Sequence, residues 1–382
     1  MHVVQINFFI DPLRRSPAAL LRAWPSLAAV AAAARSATER VTVVQASLVA
    51  GEIVQAGVTF HFVSPATASA LLTRSAAFRA LIHELEADVF HVHGLSFGRE
   101  VHELHELDRG TPILLQDHAD RVPRLWRRAT WRRGVAAARG MSFCARAQAE
   151  PFRRARLLPP SMDIFELPES TSAFVPGDKA TARAATGLRG DPAVLWVGHL
   201  NDNKDPLTAL EGVRAATPDL PNLQLWCCYA AAPLLSAVET RVARDAALRD
   251  RVHLLGSTPH ERIELMMRAA DLFVLASRRE GGNFALIEAM AAGLTPIVSD
   301  IPSSRALTGN GSVGALWPCG DSRALSVALR RCAVNAGPRV RARVRAHFDE
   351  HLSSAALGRS LAAAYGRLVA HGSAAPACVA AS

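Results

Sequence analysis

The sequence predicts an α/β protein made of two doubly wound parallel-sheet domains. Three observations carry that expectation. Short apolar runs alternate along the chain with stretches of helical apolar spacing, the pattern of repeated βαβ units. At 382 residues the chain is too long for one ordinary domain and suits two. One stretch, 271–300, reads by itself as strand, glycine loop, helix and strand.

Composition narrows the class. Half of the residues are hydrophobic and 20% are charged, which is globular rather than disordered. No apolar run is long enough to span a bilayer. The N-terminus, Met1 to Ile10, is apolar but lacks a basic start and a small-residue cleavage site, so it reads as a first strand and not a signal peptide. The cysteines, Cys144, Cys227, Cys228, Cys319, Cys332 and Cys378, form no CxxC pair and no zinc-like spacing with histidine. Reduced thiols in a cytoplasmic protein, with no metal site, is the expectation. The net charge of +9 favours anionic partners.

In chain order, residues 2–9 read as a strand, 13–34 as an alanine-rich helix, 40–46 and 58–63 as strands, and 68–85 as a helix. Asp88-Val89-Phe90-His91-Val92-His93-Gly94 and 112–116 are buried strands. Residues Arg121 to Arg156 are dense in arginine, with Trp126 and Trp131 among them. Such a segment either lies on an anionic membrane or is a solvated helix whose arginines cover apolar neighbours. No nucleic-acid fold or aromatic platform accompanies it, so nucleic acid is not expected. Leu157-Leu158-Pro159-Pro160 closes a first domain, 1–160, and the Pro-, Ser- and Thr-rich stretch 161–178 reads as a linker. A second domain, 179–346, opens on a short helix, 179–185, with Gly187 as its C-cap. Its strands are 193–197, 222–228, 252–255, 272–275 and 295–300, with helices at 207–215 and 321–332. Ser303 and Ser304 suit the cap of another short helix. Residues 347–371 read as one or two C-terminal helices, and 372–382 as a flexible tail.

Chemistry concentrates in Ser277-Arg278-Arg279-Glu280-Gly281-Gly282-Asn283-Phe284-Ala285-Leu286-Ile287-Glu288-Ala289-Met290-Ala291-Ala292-Gly293. Glu280 lies just past a strand's carboxyl end, where open α/β sheets bind ligands. Gly281 and Gly282 let the backbone approach a ligand. The N–H groups of Asn283, Phe284 and Ala285 open a helix, and a helix N-terminus attracts phosphate. Glu288, early on that helix, turns back toward the same place. Two carboxylates flanking a phosphate-binding helix start suit a ligand with hydroxyls at both ends and a diphosphate between them, such as a nucleotide-sugar. A second stretch, Val197-Gly198-His199-Leu200-Asn201-Asp202-Asn203-Lys204, is a strand end, a glycine turn and a lysine before a helix. Lys204 suits phosphate oxygens as a point charge on a flexible stem.

Glu-x7-Glu followed by Ala-Met-Ala-Ala-Gly and Pro-Ile-Val-Ser-Asp resembles the donor signature of the family-4 retaining glycosyltransferases, glycosyl transferases group 1. The resemblance covers most of residues 88–370. It implies the GT-B fold, two Rossmann-like domains facing a cleft, with the nucleotide-sugar donor on the second domain and the acceptor entering from the first. It implies that Glu280 contacts sugar hydroxyls, Glu288 the ribose, and Lys204 with Gly198 and the helix start the diphosphate. His199 stands where the family has an arginine, and a neutral imidazole offers one hydrogen bond instead of a charged pair. The histidine after the fifth strand implied by the family is His118, in Leu115-Gln116-Asp117-His118-Ala119-Asp120, with Asp117 or Asp120 as its orienting partner. After the first strand the family's Gly-Gly loop is replaced by Phe8-Phe9-Ile10-Asp11-Pro12-Leu13-Arg14-Arg15, where an arginine either supplies charge or is solvated. Transfer with retention from a UDP-, GDP- or ADP-sugar to a glycan, lipid or small metabolite, without cofactor or metal, is what the resemblance implies. It also implies a cytoplasmic protein, peripheral to the inner membrane face through Arg121–Arg156, and a last helix crossing back to the first domain. Two other readings share the fold: a nucleotide-sugar epimerase or phosphorylase, and a non-catalytic sugar-binding scaffold.

Overall fold

The computed structural model describes residues 1–65, 67 and 70–373. The chain divides into two compact units, one comprising Met1–Ser170 together with the chain from Ser354, the other Thr171–Ser353.

Among the described residues, the first unit holds an eight-stranded sheet. Its strands are β1 (His2–Asn7), β2 (Arg40–Ala46), β3 (Gly51–Gln55), β4 (Val58–Val63), β5 (Val89–His93), β6 (Ile113–Gln116), β7 (Gly140–Phe143) and β8 (Asp163–Glu166). Their order is β3-β4-β2-β1-β5-β6-β7-β8. All pairs are parallel except β3 with β4. Strands β1, β2 and β5 are buried on both faces, which is why they read as continuous apolar runs. Pro25 divides the single helix expected over 13–34 into Pro17–Ala23 and Pro25–Arg35, bent by 88°. Proline lacks the N–H that would continue the first helix and is tolerated at the first position of the second. The expected helix at 68–85 is Ala76–Leu85, preceded by a turn at Leu72–Arg74. Ala66, Ala68 and Ser69 lie outside the described residues, as does the expected tail from 374 on. No single helix among the described residues is long and apolar enough to cross a membrane.

The segment expected as a linker opens with β8, which pairs with β7 and belongs to the first sheet. Of the one or two helices expected at the C-terminal end, there are two. Pro338–His351 lies in the second unit and Ser354–Ser373 in the first. On the latter, Leu357, Leu361, Ala364, Tyr365 and Leu368 join a core with Val3, Val43, Phe60, Val89 and Leu114. The contact is close, because a Cβ at Gly358 would overlap the carbonyl oxygen of Ala33.

The second unit's sheet comprises β9 (Ala193–Val197), β10 (Gln224–Cys228), β11 (Val252–Gly256), β12 (Leu272–Leu275), β13 (Thr295–Ser299) and β14 (Ala315–Trp317). The order is β11-β10-β9-β12-β13-β14, all parallel. This is the Rossmann order, in which the winding reverses between the first and fourth strands, here β9 and β12. The unit's entry is fixed by Asp271, 7% exposed, which accepts hydrogen bonds from Ala193 N–H at 2.8 Å, Arg183 at 2.9 Å and Lys179. Helix Lys179–Thr186 is capped by the Asp178 carboxylate, which accepts from Thr181 N–H, and by Gly187 at φ +72°. Ser303 and Ser304 do not cap helix Pro302–Leu307; Ile301 holds that position, and the Ser303 hydroxyl donates to the Glu280 carbonyl at 3.4 Å.

Candidate functional site

In the second unit the loops after β9 and β12 meet at the reversal point of the sheet. After β9, Gly198 N–H donates to Cys228 O at 3.1 Å and Leu200 N–H to Ala231 O at 2.9 Å. The Asn201 side chain accepts from Lys204 N–H at 2.9 Å, setting the turn into helix Pro206–Ala216. The two loops are laced together. Arg278 N–H donates to Asn203 O at 2.7 Å, and the Asn203 amide to Arg279 O at 2.8 Å. Across that lacing, Lys204 Nζ reaches Glu280 Oε1 at 2.5 Å, with side chains only 15% and 12% exposed. Two of the residues singled out in the sequence, 76 positions apart, thus form one largely buried ion pair. Gly198 borders it: a Cβ there would sit in ordinary contact, 3.7 Å from Lys204 Cδ. Arg278, a further cation beside Glu280, is paired with Asp205 at 2.7 Å.

Gly281 and Gly282 are buried and lead to Asn283, at φ +44° and ψ 72°. Asparagine tolerates this left-handed conformation better than most residues. Its side chain does not cap the helix, and the buried Oδ1 has no hydrogen-bond partner. Helix Phe284–Ala291 begins with donation from Leu286 and Ile287 to Asn283 O, so the N–H groups of Phe284 and Ala285 precede its first hydrogen bonds. Glu288, a turn further on, binds His260 Nε2 through Oε1 at 2.6 Å. This bond, ahead of the opposing effect of burial, raises the His260 pKa. The His260 ring packs on Phe174 with centroids 4.7 Å apart. His199 stands apart from the pair; its Nδ1 accepts from Ala231 N–H at 3.1 Å, which places the proton of a neutral ring on Nε2.

In the first unit, His118 follows β6. Its Nε2 lies 3.2 Å from His93 Nδ1 and its Nδ1 3.7 Å from Glu169 Oε2. His91 and His93, on one face of β5, stack at 4.5 Å, and His91 Nδ1 contacts the Tyr365 hydroxyl at 2.8 Å. Burial holds both rings neutral; His91 falls to about 3 and His93 lies well below its ordinary value. The carboxylate at the His118 ring is Glu169, not Asp117 or Asp120 as the sequence implied. Asp117 accepts from Asp120 N–H at 2.9 Å, and Asp120 accepts from Leu95 N–H and the Ser96 hydroxyl. Burial and the nearby Glu169 charge push Asp117 up to about 7. In the first loop, Arg15 is paired with Asp11 at 2.9 Å. Glu169 and His260 were missed in the sequence. Leu167-Pro168-Glu169-Ser170 carries no local signal, whereas Pro259-His260, opening a helix after β11, stands at the same sheet end as Lys204 and was there to be read.

Residues 178–346 match the family described as Glycosyl transferases group 1. The match covers most of the second unit. Over 224 residues the chain is 27% identical to a GDP-mannose:cellobiosyl-diphosphopolyprenol alpha-mannosyltransferase of Xanthomonas campestris, covering 56% of this chain and 57% of that protein. It is 33% identical over 147 residues to a D-inositol 3-phosphate glycosyltransferase of Mycobacteroides abscessus, 37% of this chain and 32% of that one. The chain thus spans little more than half the length of the Xanthomonas relative. Beyond the group 1 domain, the fold is that of sucrose-phosphate synthase from Thermosynechococcus elongatus, with TM-score 0.69 at 20% identity over 97% of this chain and 100% of that one. HepE of Anabaena, in complex with UDP, matches with TM-score 0.71 at 15% identity over 96% and 100%. The architecture is GT-B, two parallel-sheet α/β domains.

Proposed function

We propose that this protein is a retaining glycosyltransferase that moves a sugar from a nucleotide-sugar to a glycan or lipid-linked acceptor. The observation that carries this reading is the Lys204–Glu280 pair at the reversal point of a group 1 domain, beside the start of helix Phe284–Ala291. Each partner of the pair suits one end of the donor. A diphosphate takes the ammonium, helped by the N–H groups of the helix start, and sugar hydroxyls take the carboxylate. Lys204 then stabilises charge as the diphosphate departs. Glu288, held by His260, keeps its second oxygen for the ribose. The reading assigns no step to a metal or cofactor.

GDP-mannose, named for the Xanthomonas relative, is the first donor to test, followed by UDP- and ADP-sugars. The acceptor class follows the same relative: a sugar on a polyprenyl diphosphate. The segment 121–133 supports contact with an anionic lipid surface. Leu125 and Trp126 are 74% and 72% exposed, and the Arg124 guanidinium lies 5.4 Å from the Trp126 ring centroid. Trp131 takes no part, since it is buried and donates to Leu95 O. Peripheral contact with the inner membrane face is part of the proposal; sedimentation with anionic vesicles that survives Trp126→Ala would remove the segment from that role.

The test of function is a thermal-shift panel with the three nucleotide-sugar classes, followed by transfer assays. A donor at about 100 times its dissociation constant stabilises by ~2.7 kcal/mol. Glu280→Gln is expected to abolish most turnover with the productive donor. Stabilisation by none of the donors would leave a non-catalytic scaffold as the better reading.

A further inference from the structure

The first unit contains a carboxylate whose burial requires an explanation. Glu169 is 5% exposed, and its Oε1 makes no hydrogen bond. Among the described residues no arginine or lysine pairs with it, and the one basic side chain within ion-pair distance is the His118 imidazole, at 3.7 Å. A buried charge without a partner is strongly disfavoured. The groups that face His118 are one-sided. Glu169, Asp120 and Asp117 favour its proton, while the neighbouring rings of β5, His91 and His93, are neutral by burial. A charged His118 also satisfies its other contact, with Nε2–H donating to the neutral His93 at 3.2 Å. The His118 side chain is 34% exposed, so desolvation opposes the charge only in part, and the carboxylates, Glu169 foremost, raise its pKa.

We propose that Glu169 is a positioning residue that keeps the His118 imidazole protonated and turned inward, so that His118 acts as a fixed cation at the carboxyl end of β6. Both ring nitrogens are then engaged within the first unit. The contribution of the ring is its charge and its fixed orientation, which favour an anionic group such as a departing diphosphate. Only this consequence for turnover rests on the glycosyl-transfer reading; the charge state of His118 does not.

The experiment is NMR titration of histidine-labelled full-length protein, with His118 assigned by comparison with His118→Gln. The ring is expected to stay protonated through neutral pH in the wild type. In Glu169→Gln its pKa should fall by about one to three units, the effect of losing an opposite charge at this range. Glu169→Asp should restore part of that fall. In transfer assays Glu169→Gln should move the alkaline limb of kcat to lower pH and change the donor KM little. A wild-type His118 titrating at its ordinary value overturns the proposal even if Glu169→Gln fails to fold, and so does an unchanged titration in that variant. If no donor supports turnover, the titration still decides, and only the transfer reading falls.

Discussion

At the scale of single residues, the Lys204–Glu280 pair has two roles that compete. Free of ligand, each side chain neutralises the other in a place only 15% and 12% exposed. On the proposed reading donor binding separates them, and the diphosphate and sugar hydroxyls replace each partner. Removing one member leaves the other charged and largely buried. Breaking such a pair costs about 3–5 kcal/mol, whereas replacing both members by apolar groups is often near neutral. Lys204→Met is therefore expected to lower stability markedly, and Lys204→Met with Glu280→Leu to recover most of the loss. A double-mutant cycle from urea denaturation reads this directly. Additive effects would mean that the ammonium and carboxylate are independently solvated. Neither variant should transfer sugar, so stability and activity separate in the double variant.

At the scale of elements, the helix that opens at the site is also anchored at its far end. Arg341, on Pro338–His351, donates to Ala292 O at 3.2 Å, at the end of helix Phe284–Ala291, and to Ala270 O at 2.8 Å, at the end of helix His260–Ala269. One partly buried guanidinium thus satisfies C-terminal carbonyls of the two helices that present Glu288 and His260, where the helix dipole favours a cation. Burial lowers its pKa. Arg341→Met should destabilise by roughly 1–3 kcal/mol for each carbonyl left unpaired in the interior, measured by denaturation, while the donor preference stays the same. A variant as stable as the wild type would show that water replaces the guanidinium. This anchoring was not legible in the sequence, because Arg341 is one of several arginines at close spacing in Pro338-Arg339-Val340-Arg341-Ala342-Arg343 and only the fold distinguishes the partly buried one. Strands show the same division. The apolar runs of β5, β9 and β12 could be read because both faces are covered. The edge strand β3, Gly-Glu-Ile-Val-Gln, is mostly exposed and carries no such run. The short β7 and β8 are sheet strands only because each has a neighbour to pair with.

At the scale of the whole molecule, the fold class was legible because alternation of strand and helix repeats through both halves, and the Lys204 and Glu280 loops because each follows a buried strand. The composition of the units was not, since nothing local marks Ser170 or Ser353 as the places where the chain passes from one unit to the other. The first unit is discontinuous, and its core depends on the last helix. Leu357, Leu361, Tyr365 and Leu368 are all fully buried there. Each such side chain contributes ~1.5–3 kcal/mol by burial, which together is comparable with the net stability of a domain, about 5–15 kcal/mol. The second unit comprises Thr171–Ser353. A chain ending at Ser353 is therefore expected to lose the folding transition of the first unit and keep that of the second, as followed by calorimetry and limited proteolysis. Gly358→Leu is the single-residue version of the same test, because its side chain would overlap Ala33 O and push the helix off Pro25–Arg35. It should lower the same transition with the full chain present. If the truncated chain retained both transitions, the last helix would be a cover over a first unit that folds without it.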